Sequence, residues 1–481
     1  MAVLEQLKPQ KVFYYFEQLC AIPHGSGNVE QISNYLVGFA KEKGLFYIQD
    51  EVKNVIIIKE ATEGYENVPA LIIQGHMDMV AVKEPDCSID MTKEGLQLCV
   101  DGDLLSAEGT SLGGDDGIAV AYALALLDDD DIPHPRLEVV LTVDEETGME
   151  GASSIDLSML QGKRMLNIDS EAEGILLTGC AGGVRAACKL PLLWTEVQGV
   201  AYKVTITGLQ GGHSGMEIHK ERGNANCLMG RMLYALSKKQ AYHIADIAGG
   251  VADNAIPANT SAVIVIEEKS ATVLEAFVTE YEAILQKELQ TKDAGVRIVY
   301  EKLGGNAYTV LTEEVQDKAV HMLFMAPNGV QAMNADIPGL VQTSLNLGIL
   351  SMMEDEMILD YSVRSSVTSE KEWLVHRLYA LAEAFGGSLE LSGDYPAWEF
   401  KKDSALLQMM VEIYESMYGE KPEVQTVHAG MECGILSEKI ENLDCVSFGP
   451  NMKDIHTPKE VLSISSTQRV WDYLVEVVKR K

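Results

Sequence analysis

The sequence predicts an α/β protein in which a parallel-rich sheet, covered by helices on both faces, is interrupted by an α+β insert. Short and nearly continuous apolar runs at residues 55–58, 70–73, 137–143 and 165–168 suit strands buried on both faces. Residues 118–127 are apolar on every side and suit a helix buried between those strands. From about residue 185 to 395 the pattern changes to alternation, as expected for an antiparallel sheet with one open face.

Taken in order, Asn28 is expected to cap a helix whose stripe Ile32, Leu36, Ala40 ends near Gly44. In the insert, residues 202–207 and 262–266 alternate like half-exposed strands, while 224–237 and 273–289 have helical spacing. Residues 342–347 and 357–363 read as an antiparallel pair around a polar turn at 353–356. The chain then returns to a helix at 405–417 and a buried strand at 443–448. One domain, 1–184 with 396–481, interrupted by a second at 185–395, is the expected organisation, since 481 residues exceed one core.

Acidic residues number 72 against 38 basic ones, a net charge of −34. That balance argues against nucleic acid and anionic membranes as partners. The first eleven residues are polar and include Pro9, so no signal core is expected there. Eight cysteines without a C-x-x-C pair argue against a zinc ribbon or a disulfide framework, and a reduced, cytoplasmic protein is expected.

The chemistry is concentrated where the apolar runs stop. Residues 70–74 lead into Gly75-His76-Met77-Asp78, 137–143 into Asp144-Glu145-Glu146, and 165–168 into Asp169. Open α/β sheets place their sites at the carboxyl ends of strands. His76 and Asp78 are two apart on extended backbone and face the same way, so one can bind a metal while the other orients it. Gly113-Gly114-Asp115-Asp116-Gly117 sets two carboxylates among glycines that permit close approach to an ion. Glu145 and Glu146, if extended, face apart, so that one can ligate and the other act as general base. His456 lies in a loop after the last strand candidate. Two histidines with three or four carboxylates suit two divalent ions about 3.5–4 Å apart.

These segments, together with IPHGSGNVEQIS, GCAGG, GGHSGMEIHKERGNAN, NAIP, TSLNLG, HAGMECG and HTPKE, resemble the aminoacyl-histidine dipeptidases. That group, also called peptidase D or carnosine-hydrolysing dipeptidases, belongs to the wider family of two-zinc dipeptidases, aminoacylases and glutamate carboxypeptidases. The matching stretches run in order from about residue 22 to 460. The resemblance implies metal-dependent hydrolysis of dipeptides, Xaa-His among them, by a metal-bridging water. It implies His76, Asp169 and His456 as terminal ligands, Glu146 as a further ligand and Asp115 as the bridge. Glu145 becomes the general base, and Asp78 the residue that orients His76. Two divalent ions are implied, zinc before manganese or cobalt, which suit the same donors. The insert becomes a lid through which a homodimer forms. On it, His213 would reach the reacting carbonyl from its own or the neighbouring subunit, and Asn254 and Arg364 would hold the substrate's polar ends. The alternatives are an N-acyl amino acid deacylase with the same metal chemistry, or a metal-binding protein without catalysis. Residues 451–455 depart from the family pattern beside the last ligand, which bears on substrate preference and not on the metal centre.

Overall fold

The computed structural model describes residues 3–335 and 337–481. They form two compact units, one of residues 3–179, 398–426 and 431–481, the other of residues 180–335, 337–397 and 427–430.

The first unit is built on an eight-stranded sheet. In chain order its strands are β1 (Phe46–Gln49), β2 (Val55–Lys59), β3 (Leu71–His76), β4 (Leu137–Thr142), β5 (Arg164–Asn167), β6 (Ile175–Cys180), β7 (Glu423–Val427) and β8 (Asp444–Ser447). Across the sheet they run β1-β2-β4-β3-β5-β8-β6-β7. The four central strands β4-β3-β5-β8 are parallel, while β1, β2 and β6 pair antiparallel at the flanks. Every residue of β3 and β4 is buried, which is what strands covered on both faces require.

The helix α1 (Gly114–Leu127) is also buried along its whole length and packs among Phe13, Phe16, Ile57, Ile73 and Leu141. From Ile118 to Leu127 it carries no charged residue on any side, which is why that stretch has no solvent face. Tyr122 donates its hydroxyl proton to the Thr467 carbonyl at 2.8 Å, so its polar end is satisfied inside this core. A small four-stranded sheet pairs residues 461–463 with 104–105 and 452–453, which holds the loop carrying His456 in place.

The second unit is an antiparallel sheet of nine strands with helices Ala225–Ser237, Ala271–Glu288, Glu313–Met325 and Thr368–Ala384. Strand Glu356–Ser365 alternates between buried and partly exposed positions over most of its length, and its pairing with Val341–Met352 passes through the expected turn. Leu233, Phe277 and Leu378 from the helices pack against Val204, Ile264, Leu347 and Leu359 of the strands.

Two local expectations fail. Asn28 does not cap the helix Glu30–Glu42, which has Val29 before it and no side-chain cap. Asn28 is drawn into a turn by the Gly25 carbonyl, and its side chain donates to the Thr92 carbonyl. Glu145 and Glu146 are not extended; they open a one-turn helix, Glu145–Gly148. Asp144 has φ 53° and turns the chain there, and the Glu145 N–H finds its acceptor in the Asp78 side chain. The two glutamates therefore diverge by roughly a helical step of 100° rather than by half a turn.

Leu124 is fully buried in α1. Leu124→Ala is expected to destabilise the first unit by about 2–5 kcal/mol. Urea unfolding measures this directly, and a loss below about 1 kcal/mol would contradict the packing described.

Candidate metal centre

Three adjacent parallel strands deliver the site. β3 ends on His76, β4 ends three residues before Glu145, and β5 ends two residues before Asp169. Gly75 is obligatory because a Cβ there would lie 2.6 Å from Asp116 Oδ2 and 2.7 Å from the Ala119 Cβ. That close approach lets the His76 N–H donate to Asp116 Oδ2 at 3.2 Å.

The His76 ring is held at Nδ1, which lies 3.0 Å from the Asp78 backbone carbonyl. The carbonyl accepts, so Nδ1 carries the hydrogen and Nε2 is left to face the carboxylates. The Asp78 carboxylate sits farther from that nitrogen, at 3.5 Å. Its closer partners are the Ser26 hydroxyl, donating at 2.8 Å, and the Glu145 N–H, donating at 3.1 Å. Asp78 thus ties the segment after His76 to the start of the Glu145 turn.

Asp115 lies at the centre. One oxygen, Oδ1, is 3.2 Å from His76 Nε2, and the other, Oδ2, is 3.2 Å from His456 Nε2. Asp169 Oδ1 stands 3.7 Å from His76 Nε2, and Glu146 Oε1 stands 3.0 Å from His456 Nε2. Three overlapping groups of donor atoms result, two of them sharing His76. His76 lies within 4.8 Å of Asp116 and Asp169 or of Glu145 and Glu146; Asp115, Glu146 and His456 form the third group. Asp116 Oδ1, deeply buried, has no hydrogen-bond partner. Imidazole and carboxylate donors of this kind fit divalent ions, so the residues suit the expected metals.

Asp115 is presented by a loop that Glu460 holds. The buried Glu460 carboxylate accepts the N–H groups of Leu112, Gly113, Gly114 and Asp115 at 2.8, 3.1, 2.8 and 3.4 Å. Those are the orphan donors of a helix start, and they compensate a carboxylate that has no cation beside it. His456 lies four residues before Glu460 and has φ 60°, uncommon for a residue with a Cβ.

The carboxylates raise the proton affinity of both imidazoles. Burial alone would lower the pKa of His76, but Asp115, Asp169 and Asp78 overcome it and hold the pKa well above the ordinary value. Asp115 and Glu146 lift His456 to about 10. Burial, followed by the nearby carboxylates, pushes Asp116 and Glu145 well above the carboxylate range. Asp169 rises to about 6, and Glu171 to about 7, for the same first reason.

The candidates of the second unit form a polar group of their own. Gly212–His213 pairs antiparallel with Ala255–Ile256, and the Ser214 N–H donates to the Asn254 carbonyl at 2.8 Å. The N–H groups of Gly215 and Met216 both donate to His213 Nδ1 at 3.2 Å. Burial and the Arg364 charge lower the pKa of His213, so its ring is neutral with the hydrogen on Nε2. Arg364 donates from Nη1 to the Tyr395 hydroxyl at 2.8 Å.

Several residues had no assigned role from sequence. Glu460 stood in the quoted HTPKE stretch and Glu432 in HAGMECG, yet a carboxylate among apolar neighbours was the only signal either gave. His428 is buried, held through Nε2 by Ser344 Oγ at 2.7 Å, and lowered to about 3 by burial and Arg364. His219 is exposed on a short 3-10 turn.

In the metal-free protein the proton on His456 is retained up to about pH 10, against an ordinary 6.5. The stability it adds is complete below about pH 6.5 and lost as pH rises through about 10. A divalent ion must displace that proton, so binding at neutral pH is expected to release protons, with apparent affinity rising as pH approaches 10. Calorimetric titration of stripped protein in two buffers of different ionisation enthalpy reads the release; identical heats would show that none occurs.

The model of peptidase family M20/M25/M40 matches residues 72–480. Over 482 aligned residues the chain is 37% identical to the cytosol non-specific dipeptidase of Escherichia coli (strain K12), covering 100% of this chain and 99% of that one. Among solved structures, the aminoacylhistidine dipeptidase from Vibrio alginolyticus superposes with a TM-score of 0.93 at 35% identity, over 99% of this chain and 97% of that one. A tripeptidase from Staphylococcus aureus shares the fold at a TM-score of 0.57 and 17% identity, covering 98% of each. The resemblance carried by the sequence motifs therefore holds along the full chain. This chain belongs to peptidase family M20/M25/M40 and is a metallopeptidase, an enzyme that hydrolyses peptide bonds.

Proposed function

We propose that this chain is a dipeptidase that cleaves unblocked dipeptides, those ending in histidine among them, at a centre of two divalent ions. The observation that carries the reading is the Asp115 carboxylate, whose two oxygens each face a different histidine at 3.2 Å. The two full-length relatives, a non-specific dipeptidase and an aminoacylhistidine dipeptidase, support the choice of dipeptides.

His76 and Asp169 would hold one ion, Glu146 and His456 the other, with Asp115 shared between them. When bound, the ions supply Lewis-acid polarisation of the scissile carbonyl and lower the pKa of water. Zinc is proposed, with manganese or cobalt accepted by the same donors. Glu145 takes the proton from the attacking water and passes it to the departing amine. Its carboxylate is suited to this because burial, followed by the neighbouring carboxylates, raises its proton affinity. Asp78 fixes the Glu145 backbone and the His76 carbonyl contact, and so positions both groups.

For the second unit, we propose that neutral His213 donates through Nε2 to the developing oxyanion. Asn254 and Arg364 would receive the substrate's polar ends, the guanidinium matching a carboxylate. Assembly as a homodimer through this unit and residence in the cytoplasm belong to the same proposal. Among the described residues no helix is long and apolar enough to cross a membrane.

Three measurements test it. Glu145→Gln keeps shape and removes the base, so kcat should fall by at least about 10²–10⁴-fold with bound metal retained. Glu146→Gln should weaken metal binding instead, and excess metal should restore part of the rate. Loss of metal from the Glu145 variant alone would reverse the two assignments. Separately, kcat/KM for a panel of dipeptides should exceed that for matched N-acyl amino acids; the opposite order would make the chain a deacylase. His213→Ala should lower kcat by roughly 10²–10³-fold without changing metal content.

A further inference from the structure

Below the ligands lies a buried polar layer that the chemistry above leaves without a role. Gln74, Thr142, Asn167 and Glu432 are each 0% exposed. Glu432 opens the short helix Glu432–Lys439, and its Oε2 accepts from Gln74 Nε2 at 2.6 Å and from the Thr142 hydroxyl at 2.6 Å. Gln74 Oε1 in turn accepts from Asn167 Nδ2 at 2.6 Å. The other Glu432 oxygen, Oε1, is buried with no hydrogen-bond partner.

The spacing of these contacts is informative. Gln74 precedes His76 by two residues on β3, so the two share a side of the strand. Asn167 precedes Asp169 by two residues at the end of β5, and Thr142 is the last residue of β4 before the Glu145 turn. One carboxylate is therefore bonded, directly or through Gln74, to all three strand ends that carry the candidate ligands.

A buried carboxylate with two neutral donors is a poor way to hold three strands together. Desolvation opposes the charge, and an apolar side chain of similar volume would pack there more favourably. Burial pushes the Glu432 pKa up to about 7; the charge of His76 opposes the rise and the Asp169 carboxylate adds to it. The positive group acting on it is the His76 imidazole, which belongs to the ligand centre. A negative group kept at this place makes physical sense if positive charge sits nearby, and the ligand centre is where such charge would be.

We infer that Glu432 is a positioning residue of the metal centre: its carboxylate sets the mutual placement of the strand ends bearing His76, Glu145 and Asp169, and its charge is balanced by the ions they hold. This rests on the reading of those residues as a metal centre.

Glu432→Gln separates the two parts of the role, because the amide oxygen still accepts from Gln74 and Thr142 while the charge is gone. Chelator-stripped protein would be titrated with zinc, and kcat, KM and the urea midpoint of the stripped form recorded. The expected result is zinc binding weaker by about 10–100-fold, the size of effect seen when groups behind metal ligands are changed. The stripped form should be at least as stable as the unaltered one, which a purely structural residue would not produce. At saturating zinc, Glu432→Gln should recover kcat, whereas Glu432→Ala should keep a lowered kcat with KM within about twofold, since only it loses the bonds to the strand ends. Unaltered zinc affinity in Glu432→Gln overturns the proposal. If the alanine variant does not fold, the glutamine variant alone decides. Absence of zinc binding by the unaltered chain would instead remove the metal-centre reading beneath it.

Discussion

The mutual repulsion of the carboxylates around His76 is the constraint on which the rest of this structure depends. Asp115, Asp116, Glu145, Glu146 and Asp169 converge where water is largely excluded, with Glu171 and Glu432 close behind. Two like charges 4 Å apart repel by about 4 kcal/mol at an effective dielectric of 20, and here several such pairs coexist. The metal-free protein relieves this with protons, seen in the raised pKa values of Asp116, Glu145 and Asp169 and of both imidazoles. Divalent cations would relieve it better, and binding them would exchange protons for charge that stays at neutral pH.

Holding such a cluster needs a rigid frame, and the centre of the parallel sheet provides one. β3, β4 and β5 are adjacent, buried on their faces, and finish at the same edge. Their registers therefore bring three donor sets together without any one segment having to reach far. The parts that arrive from elsewhere are secured by backbone rather than by opposite charge. Four N–H groups hold Glu460, and through it the loop of Asp115, while the small antiparallel sheet secures the His456 loop. A carboxylate anchored by backbone donors keeps its position whether or not the cluster beside it is protonated.

The division of labour proposed for the adjacent glutamates rests on a local detail. Because Asp144 turns the chain and Asp78 caps the Glu145 N–H, the pair sits on a helical turn. The contact of Glu146 with His456 and the pull of His76 on Glu145 both follow from that turn. Asp78 acts on His76 mainly through its backbone carbonyl, which leaves its carboxylate for the segment of Glu145, the proposed general base. One acidic residue thereby couples the geometry of a ligand to that of the proposed base.

The sequence by itself determined the strands, the buried helix and the donors at strand ends, because these depend on short-range periodicity and on where apolar runs stop. Residues 70–73 and 137–143 are legible as strands for that reason, and His76, Asp115, Glu145, Glu146, Asp169 and His456 as a set of donors. Tertiary structure alone decided which atoms meet. That Asp115 faces two histidines, 39 and 341 residues away, depends on a sheet edge and a loop brought together from opposite ends of the chain. The same holds for Glu460 on the N–H groups of 112–115, and for Glu432 beneath three strands up to 358 residues distant. Such contacts leave no periodic trace, since a buried carboxylate and a solvated one are the same letter. Their meaning is set by the dielectric and the donors around them, which exist only once the chain has folded.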